Sequence, residues 1–274
     1  MVDIRDLNSV ADCRTVAALE AAVWGDDMEI VPPGLLVASA KRGGILLGAF
    51  DGDQMVGFVW SMPGRRDGVP TQWSHMLGVR PAARGRGLGI QLKHVQRERA
   101  LDQGLELIEW TFDPLMARNA HLNFARLGTV SSTYLRDAYG SLTGPLHRGT
   151  PTDRLIAAWW IRRPEVAARV EGPAPANGLA DTGVAQAIDV AAGADWPEPV
   201  RVRTDLDEAT VGVTVPPRFG EMQAEATDVA LAWRLAVREA FETYLGRGYR
   251  AEAFHFDRVS AGGYYVLADR KRST

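Results

Sequence analysis

Between Gln72 and Phe112 the chain reads strand, glycine-rich turn, helix, strand, and this stretch constrains the fold more than any other. Gln72 to Val79 is a strand that stops before Arg80-Pro81. From about Arg86 to Gln103, Leu88, Leu92 and Val95 recur at i, i+4, i+7, and Gly104 ends the helix they mark. Leu105 to Phe112 is the next strand. Strands joined through a helix in this way run parallel, with a right-handed crossover. The chain is therefore read as α/β, with a mixed sheet.

The surrounding elements fit that class. Val2 and Ile4 alternate with polar residues as a short strand. Asn8 or Ser9 caps a helix carrying Cys13, Val16, Ala17, Leu19 and Val23, and Pro32-Pro33 opens a second helix that stops at Gly43-Gly44. Apolar runs from Ile45 to Phe50 and from Gln54 to Ser61 flank Asp51-Gly52-Asp53, a hairpin signal. Gly64 to Thr71 reads as a polar loop. Met116 to Leu127 is a helix ended by Gly128, and Thr129 to Arg136 and Arg154 to Ile161 are two further strands. The order over residues 1–163 is βααβββαβαββ.

Length and composition set the remaining limits. At 274 residues the chain is long enough for two domains. Residues 164–200 lose periodicity and fill with Ala, Gly and Pro, as in a linker or surface excursion. Residues 201–274 read as a smaller βαββ domain: a strand at Val211–Val215, a helix from Thr227 to Gly246 and a hairpin from Tyr249 to Leu267. A net charge of −3 argues against a general nucleic-acid partner. Cys13 is the only cysteine, which excludes an internal disulfide or a multi-cysteine zinc site. Neither a signal peptide nor a membrane-spanning apolar run is present in the sequence, so a cytoplasmic protein is expected. A homodimer is left open.

The chemistry concentrates in Leu77-Gly-Val-Arg-Pro-Ala-Ala-Arg84-Gly85-Arg86-Gly87-Leu88-Gly89. A helix N-terminus presents unpaired N–H groups and the positive end of its dipole to anions. Glycines let the backbone approach such a ligand. Arg80, Arg84, Arg86, Lys93, Arg97 and Arg99 face a single acid, Glu98, in this region. A basic cradle within an acidic chain suggests a multiply charged anion. The spacing is neither the G-x-G-x-x-G of dinucleotide folds nor a P-loop.

Arg84-x-x-Gly87-x-Gly89 after a strand resembles the R/Q-x-x-G-x-G/A loop that holds the CoA pyrophosphate in GNAT acyltransferases. WSHMLGVRP at Trp73–Pro81, WTFDPLMARNAHLNFARLG at Trp110–Gly128 and PTDRL at Pro151–Leu155 resemble a two-domain bacterial subset of that superfamily. The resemblance implies a pyrophosphate site at Arg84, Gly85, Arg86, Gly87, Leu88 and Gly89. It also implies an acyl-pantetheine slot beside the strand that carries Leu77, Gly78 and Val79, with Gly78 marking a bulge. Asn119 resembles the asparagine that contacts the pantetheine arm, and shares a helix face with Asn123 at i, i+4.

Acyl transfer to an amine needs a proton acceptor. Strand alternation puts His75 on the face of Leu77 and Val79, and Glu109 lies on the neighbouring strand. The family's usual proton donor is a tyrosine four residues before the glycine that ends the fourth helix; here that residue is Phe124. Tyr134 and Tyr139 are the hydroxyls that follow. Arg65, Arg66, Arg118 and Arg136 suggest a mouth able to hold a carboxylate. His255-x-Asp257 offers two metal-type ligands, too few for a site, and no metal is expected. The expected activity is transfer of an acyl group from acetyl-CoA, or another acyl-CoA such as succinyl-CoA, to a small amine, an amino acid or derivative first among them. The alternative is a non-catalytic acyl-CoA-binding sensor or scaffold.

Overall fold

The computed structural model describes residues 2–25, 30–140, 150–172 and 183–271. The chain forms two compact units, one comprising Met1–Trp110 and Trp159–Ala167, the other Thr111–Ala158 and Ala168–Thr274.

The first unit opens with β1 (Asp3–Asp6), α1 (Val10–Trp24) and α2 (Pro33–Lys41). Ser9 and Asp12 cap α1 reciprocally, each side chain bonding the other's backbone N–H. Two long hairpins follow, made by β2 (Ile45–Asp51), β3 (Gln54–Arg66) and β4 (Val69–Val79). Then come α3 (Leu88–Asp102) and β5 (Leu107–Phe112). Strands β1 to β5 lie side by side in sequence order. Antiparallel pairs join β1 to β4, and β4 runs parallel to β5. The sheet is mixed, as the crossover requires.

Gly64–Thr71, expected as a loop, is instead the tip of the β3–β4 hairpin, with Arg66 opposite Val69. Asp67 and Gly68 both take positive φ, the backbone of a tight two-residue hairpin turn. The strands run on through polar residues because the turn, not hydrophobicity, fixes their pairing.

Alternation divides the sheet's side chains between two layers. Phe58 and Trp60 of β3 join Cys13, Val16 and Leu19 of α1 and Leu36 of α2 in one core. On the other face α3 closes down: a Cβ at Gly57 would meet Leu92 Cδ1 at 3.3 Å.

The second unit begins with α4 (Ala117–Ala120), which continues as a π-helical segment, His121–Leu127. β6 (Tyr134–Leu135) pairs antiparallel with β7 (Arg154–Trp160). The strand expected over Thr129–Arg136 is reduced to β6 and two single bridges, Val130–Ala158 and Ser131–Ala251. Of the expected linker over residues 164–200, residues 173–182 lie outside the described residues, and the described remainder is more structured than its composition suggests. It holds α5 (Pro164–Glu171), β8 (Ala185–Gln186) and β9 (Ile188–Ala192), and β10 (Pro197–Val202) starts within it. β9 and β10 pair only with each other, with a register shift after Pro199. Proline is tolerated on such an edge, which is why these strands look like linker in sequence.

β11 (Thr210–Val215), α6 (Phe219–Glu225), α7 (Thr227–Gly246), β12 (Tyr249–Phe256) and β13 (Gly263–Asp269) complete the chain in the expected order, with α6 added. The sheet order is β12-β13-β11-β8.

Candidate active site

The parallel ladder between β4 and β5 has two rungs, Gln72–Ile108 and Trp73–Glu109. β4 then continues from Ser74 to Val79 paired along its other edge to β3. A strand whose second edge loses its partner presents backbone N–H and C=O groups to any extended ligand that can replace it.

The bulge in β4 falls at His75, not at Gly78. Ser61 pairs with Ser74 and Trp60 with Met76, so His75 is the extra residue. This overturns the simple alternation. Leu77 approaches Gly89 on the α3 side, whereas His75 stands edge-on to Trp60, with ring centroids 5.2 Å apart, on the α1 and α2 side. Gly78 has a packing reason instead. A Cβ there would lie 2.8 Å from the Phe58 ring and 3.2 Å from Trp24.

At the end of β4, Gly85 and Gly87 have φ of +79° and +75°, conformations that side chains resist. Gly87 is the N-cap of α3, so the N–H groups of the first turn point out of the loop. A Cβ at Gly85 would meet nothing within 4 Å. The loop thus offers open backbone donors at a helix N-terminus, which fits the pyrophosphate of an acyl-CoA. Arg84 Nε donates to the Val79 carbonyl, bracing loop against strand. Arg86 pairs with Asp51 at 3.0 Å.

The wider cradle is dispersed. Arg97 donates to the Ile161 carbonyl, Arg99 pairs with Asp6, and Arg80 donates to the Met55 carbonyl. Lys93 is only 4% exposed. Its Nζ donates to Ser74 Oγ at 2.8 Å and Gln96 Oε1 at 3.1 Å, and lies 3.6 Å from the centre of the Trp110 ring. Burial pushes its pKa well below the usual lysine value. Sequence reading counted Lys93 as an anion ligand. Its position three residues before Gln96 and seven before Ala100, both on the buried face of α3, was the signal for an interior role.

Burial also lowers the His75 pKa, favouring the neutral imidazole. Glu109 is buried and bonded to Arg66 at 2.9 Å. Burial raises its pKa, while the guanidinium opposes the rise. Arg66 is thereby committed to a carboxylate, as is Arg136 in the second unit, which pairs with Glu242. The proposed arginine mouth is correspondingly reduced.

Within the second unit, the Tyr134 hydroxyl donates to Asp153 at 2.7 Å. Burial first, and Asp153 next, push its pKa far up. Tyr139 is exposed, with its hydroxyl 2.6 Å from Thr111 Oγ1 and Arg154 over its ring. Phe124 is buried between Phe112 and Tyr265. Asn119 is exposed and Asn123 buried. Their shared face is lost because the helix widens into a π turn between them.

His255 stacks on Tyr264 and Asp257 bonds Ser260. Among the described residues no group of three or more His, Cys, Asp or Glu is placed to hold a metal. No helix among the described residues is long and apolar enough to cross a membrane.

Residues 12–128 match the acetyltransferase (GNAT) family, a span that includes the forked strand and the glycine loop. The match covers less than half of the chain and falls within its N-terminal portion. No curated protein matches the chain. Among solved structures it is similar to the ribosomal-protein-S18-alanine N-acetyltransferase of Escherichia coli, at 17% identity and a TM-score of 0.48 over 59% of this chain and 94% of that one. It is also similar to Arabidopsis thaliana Naa50 in complex with the bisubstrate analogue CoA-Ac-MVNAL, at 14% identity and a TM-score of 0.46 over 57% and 97%. A GNAT acetyltransferase of Streptococcus pneumoniae gives 17% identity and a TM-score of 0.46 over 58% and 98%.

Proposed function

We propose that this protein is an acyl-CoA-dependent N-acyltransferase that acylates the amine of a small molecule by direct attack. The observation that carries the reading is the glycine loop at the N-terminus of α3, following a strand whose second edge has no partner beyond Trp73 among the described residues. The acyl-CoA supplies the thioester, with acetyl-CoA as the donor to test first and succinyl-CoA second.

The chain's own residues then have distinct tasks. The backbone at Gly85, Gly87, Leu88 and Gly89 binds the pyrophosphate, with Arg84 and Arg86 beside it. Leu77, Gly78 and Val79 offer backbone groups to the pantetheine and the acyl carbonyl. His75 takes the proton from the attacking amine, helped by a lowered pKa that keeps it neutral near pH 7. Tyr139, the exposed tyrosine of the two candidates, is the hydroxyl to test as proton donor, whereas Tyr134 is held by Asp153. Asn119, also exposed, is assigned to the pantetheine arm. An amino acid or derivative is the first acceptor class to screen, with Arg65 and Arg118 as the arginines to test against its carboxylate.

Calorimetric titration with CoA, acetyl-CoA and succinyl-CoA tests the reading. Micromolar binding that distinguishes the acyl groups supports it and selects the donor. Binding of none of them reduces the loop to a structural turn. Phe124 gives specific grounds for a second reading, because an apolar residue buried at the usual tyrosine position suits a non-catalytic acyl-CoA sensor. Firm CoA binding with no thiol release across a broad amine panel would favour that reading.

A further inference from the structure

Trp73 and Glu109 form the last rung between β4 and β5. The next residue on β4 is Ser74, and the next on β5 is Trp110. A single amine touches both: Lys93 Nζ is 2.8 Å from Ser74 Oγ and 3.6 Å from the Trp110 ring centre. Gln96, one turn along α3, accepts from the same amine and also bonds Ser74 Oγ. Trp110 is fixed from behind by Trp159, edge-on at 6.0 Å. All three members of the Lys93–Ser74–Gln96 cluster are buried.

A lysine in such a place is costly, because its ammonium loses water and has no carboxylate among these neighbours. Leucine or methionine would fill the same space without that cost. The residues it contacts indicate what the amine does there.

We propose that Lys93 is a positioning residue that sets the opening of the β4–β5 fork, and through it the fit of the acyl-pantetheine end of the ligand. The proposal rests on the acyl-CoA reading above. Lys93 touches no ligand in this scheme. It acts through Ser74, which adjoins the His75 bulge, and through the Trp110 indole. Removing the amine frees the residue of each strand just beyond the last β4–β5 rung to shift, which alters the slot while leaving the glycine loop at the far end of β4 as it was.

The test compares wild type with Lys93→Met and Ser74→Ala, using two ligands: acetyl-CoA, and the 3′-phosphorylated ADP half of CoA, which lacks pantetheine. Lys93→Met is expected to weaken acetyl-CoA binding about tenfold while the nucleotide half binds as before, and Ser74→Ala to weaken it about threefold, in keeping with loss of a buried hydrogen bond. Amide hydrogen exchange at Ser74–Leu77 should change in Lys93→Met, a readout independent of turnover. If Lys93→Met does not fold, the Ser74→Ala comparison decides the matter by itself. Unchanged acetyl-CoA affinity, or equal weakening of both ligands, overturns the proposal. Wild-type protein that binds neither ligand overturns the acyl-CoA reading, and this proposal with it.

Discussion

His75 owes its place to a single inserted residue. Because it is the bulge, it leaves the face of Leu77 and Val79 and meets Trp60; the residue stays exposed to solvent overall, and partial desolvation of its ring lowers its pKa. His75→Ala is expected to cut kcat by about 100-fold while acetyl-CoA affinity is retained, the size of a general-base contribution. The acidic limb of the pH–kcat/KM profile should lie below the ordinary histidine range and vanish in the variant. Wild-type turnover at every pH would remove His75 from the mechanism. The same shift affects stability. With its folded pKa below the unfolded value, His75 adds stability that is present above about pH 6.5 and is lost as pH falls through the folded pKa. Gly87 makes the second residue-scale prediction. Its φ of +75° means that Gly87→Ala should cost about 1–2 kcal/mol in denaturant unfolding and also weaken CoA binding. A loop that tolerates alanine with both unchanged would not be the pyrophosphate cradle.

At the scale of elements, α7 presents a ladder of charge. Arg234 forks onto Asp113 at 2.8 and 2.6 Å, Arg238 forks onto Asp153 at 2.8 Å, and Glu242 pairs with Arg136. The spacing of four residues puts all three on one helical face. Arg234 is 1% exposed, so Arg234→Met should cost about 3 kcal/mol by removing the two-pronged partner of Asp113, which keeps only the longer 3.7 Å pairing with Arg154. A urea midpoint close to wild type would refute this, and Asp113→Asn in the same chain should restore part of the loss. The helix itself was legible in sequence from Val229, Trp233, Val237, Phe241 and Tyr244, because burying apolar area imposes a period. The ladder was not legible. Its partners lie about 80 to 120 residues away in the chain, and charge carries no period that names a distant partner. The same distinction separates the glycine loop from the bulge. The loop could be read because only glycine meets its φ demands. The bulge at His75 could not, since it arises from register between two strands.

At the scale of the whole molecule, the second unit draws on both Thr111–Ala158 and Ala168–Thr274. A tandem division at residues 163 and 201 implies that residues 1–163 fold alone. Truncation at residue 200 would strip Arg234 from Asp113, Arg238 from Asp153 and Tyr265 from Phe124. Such a truncation is expected to be insoluble or to lack a cooperative thermal transition; a sharp transition would favour the tandem arrangement. Acid should expose the same dependence. Burial pushes the Asp113 and Asp153 carboxyls up, but the facing arginines outweigh it and hold both below the usual range. Their contribution is therefore present above about pH 4 and lost as pH falls through the lowered folded values. The interleaving also governs inheritance. The chain passes between units within β5, within β7 and within α5. A single genetic crossover at any of these points splits at least one unit between the two parents, so no single crossover exchanges one unit cleanly for another.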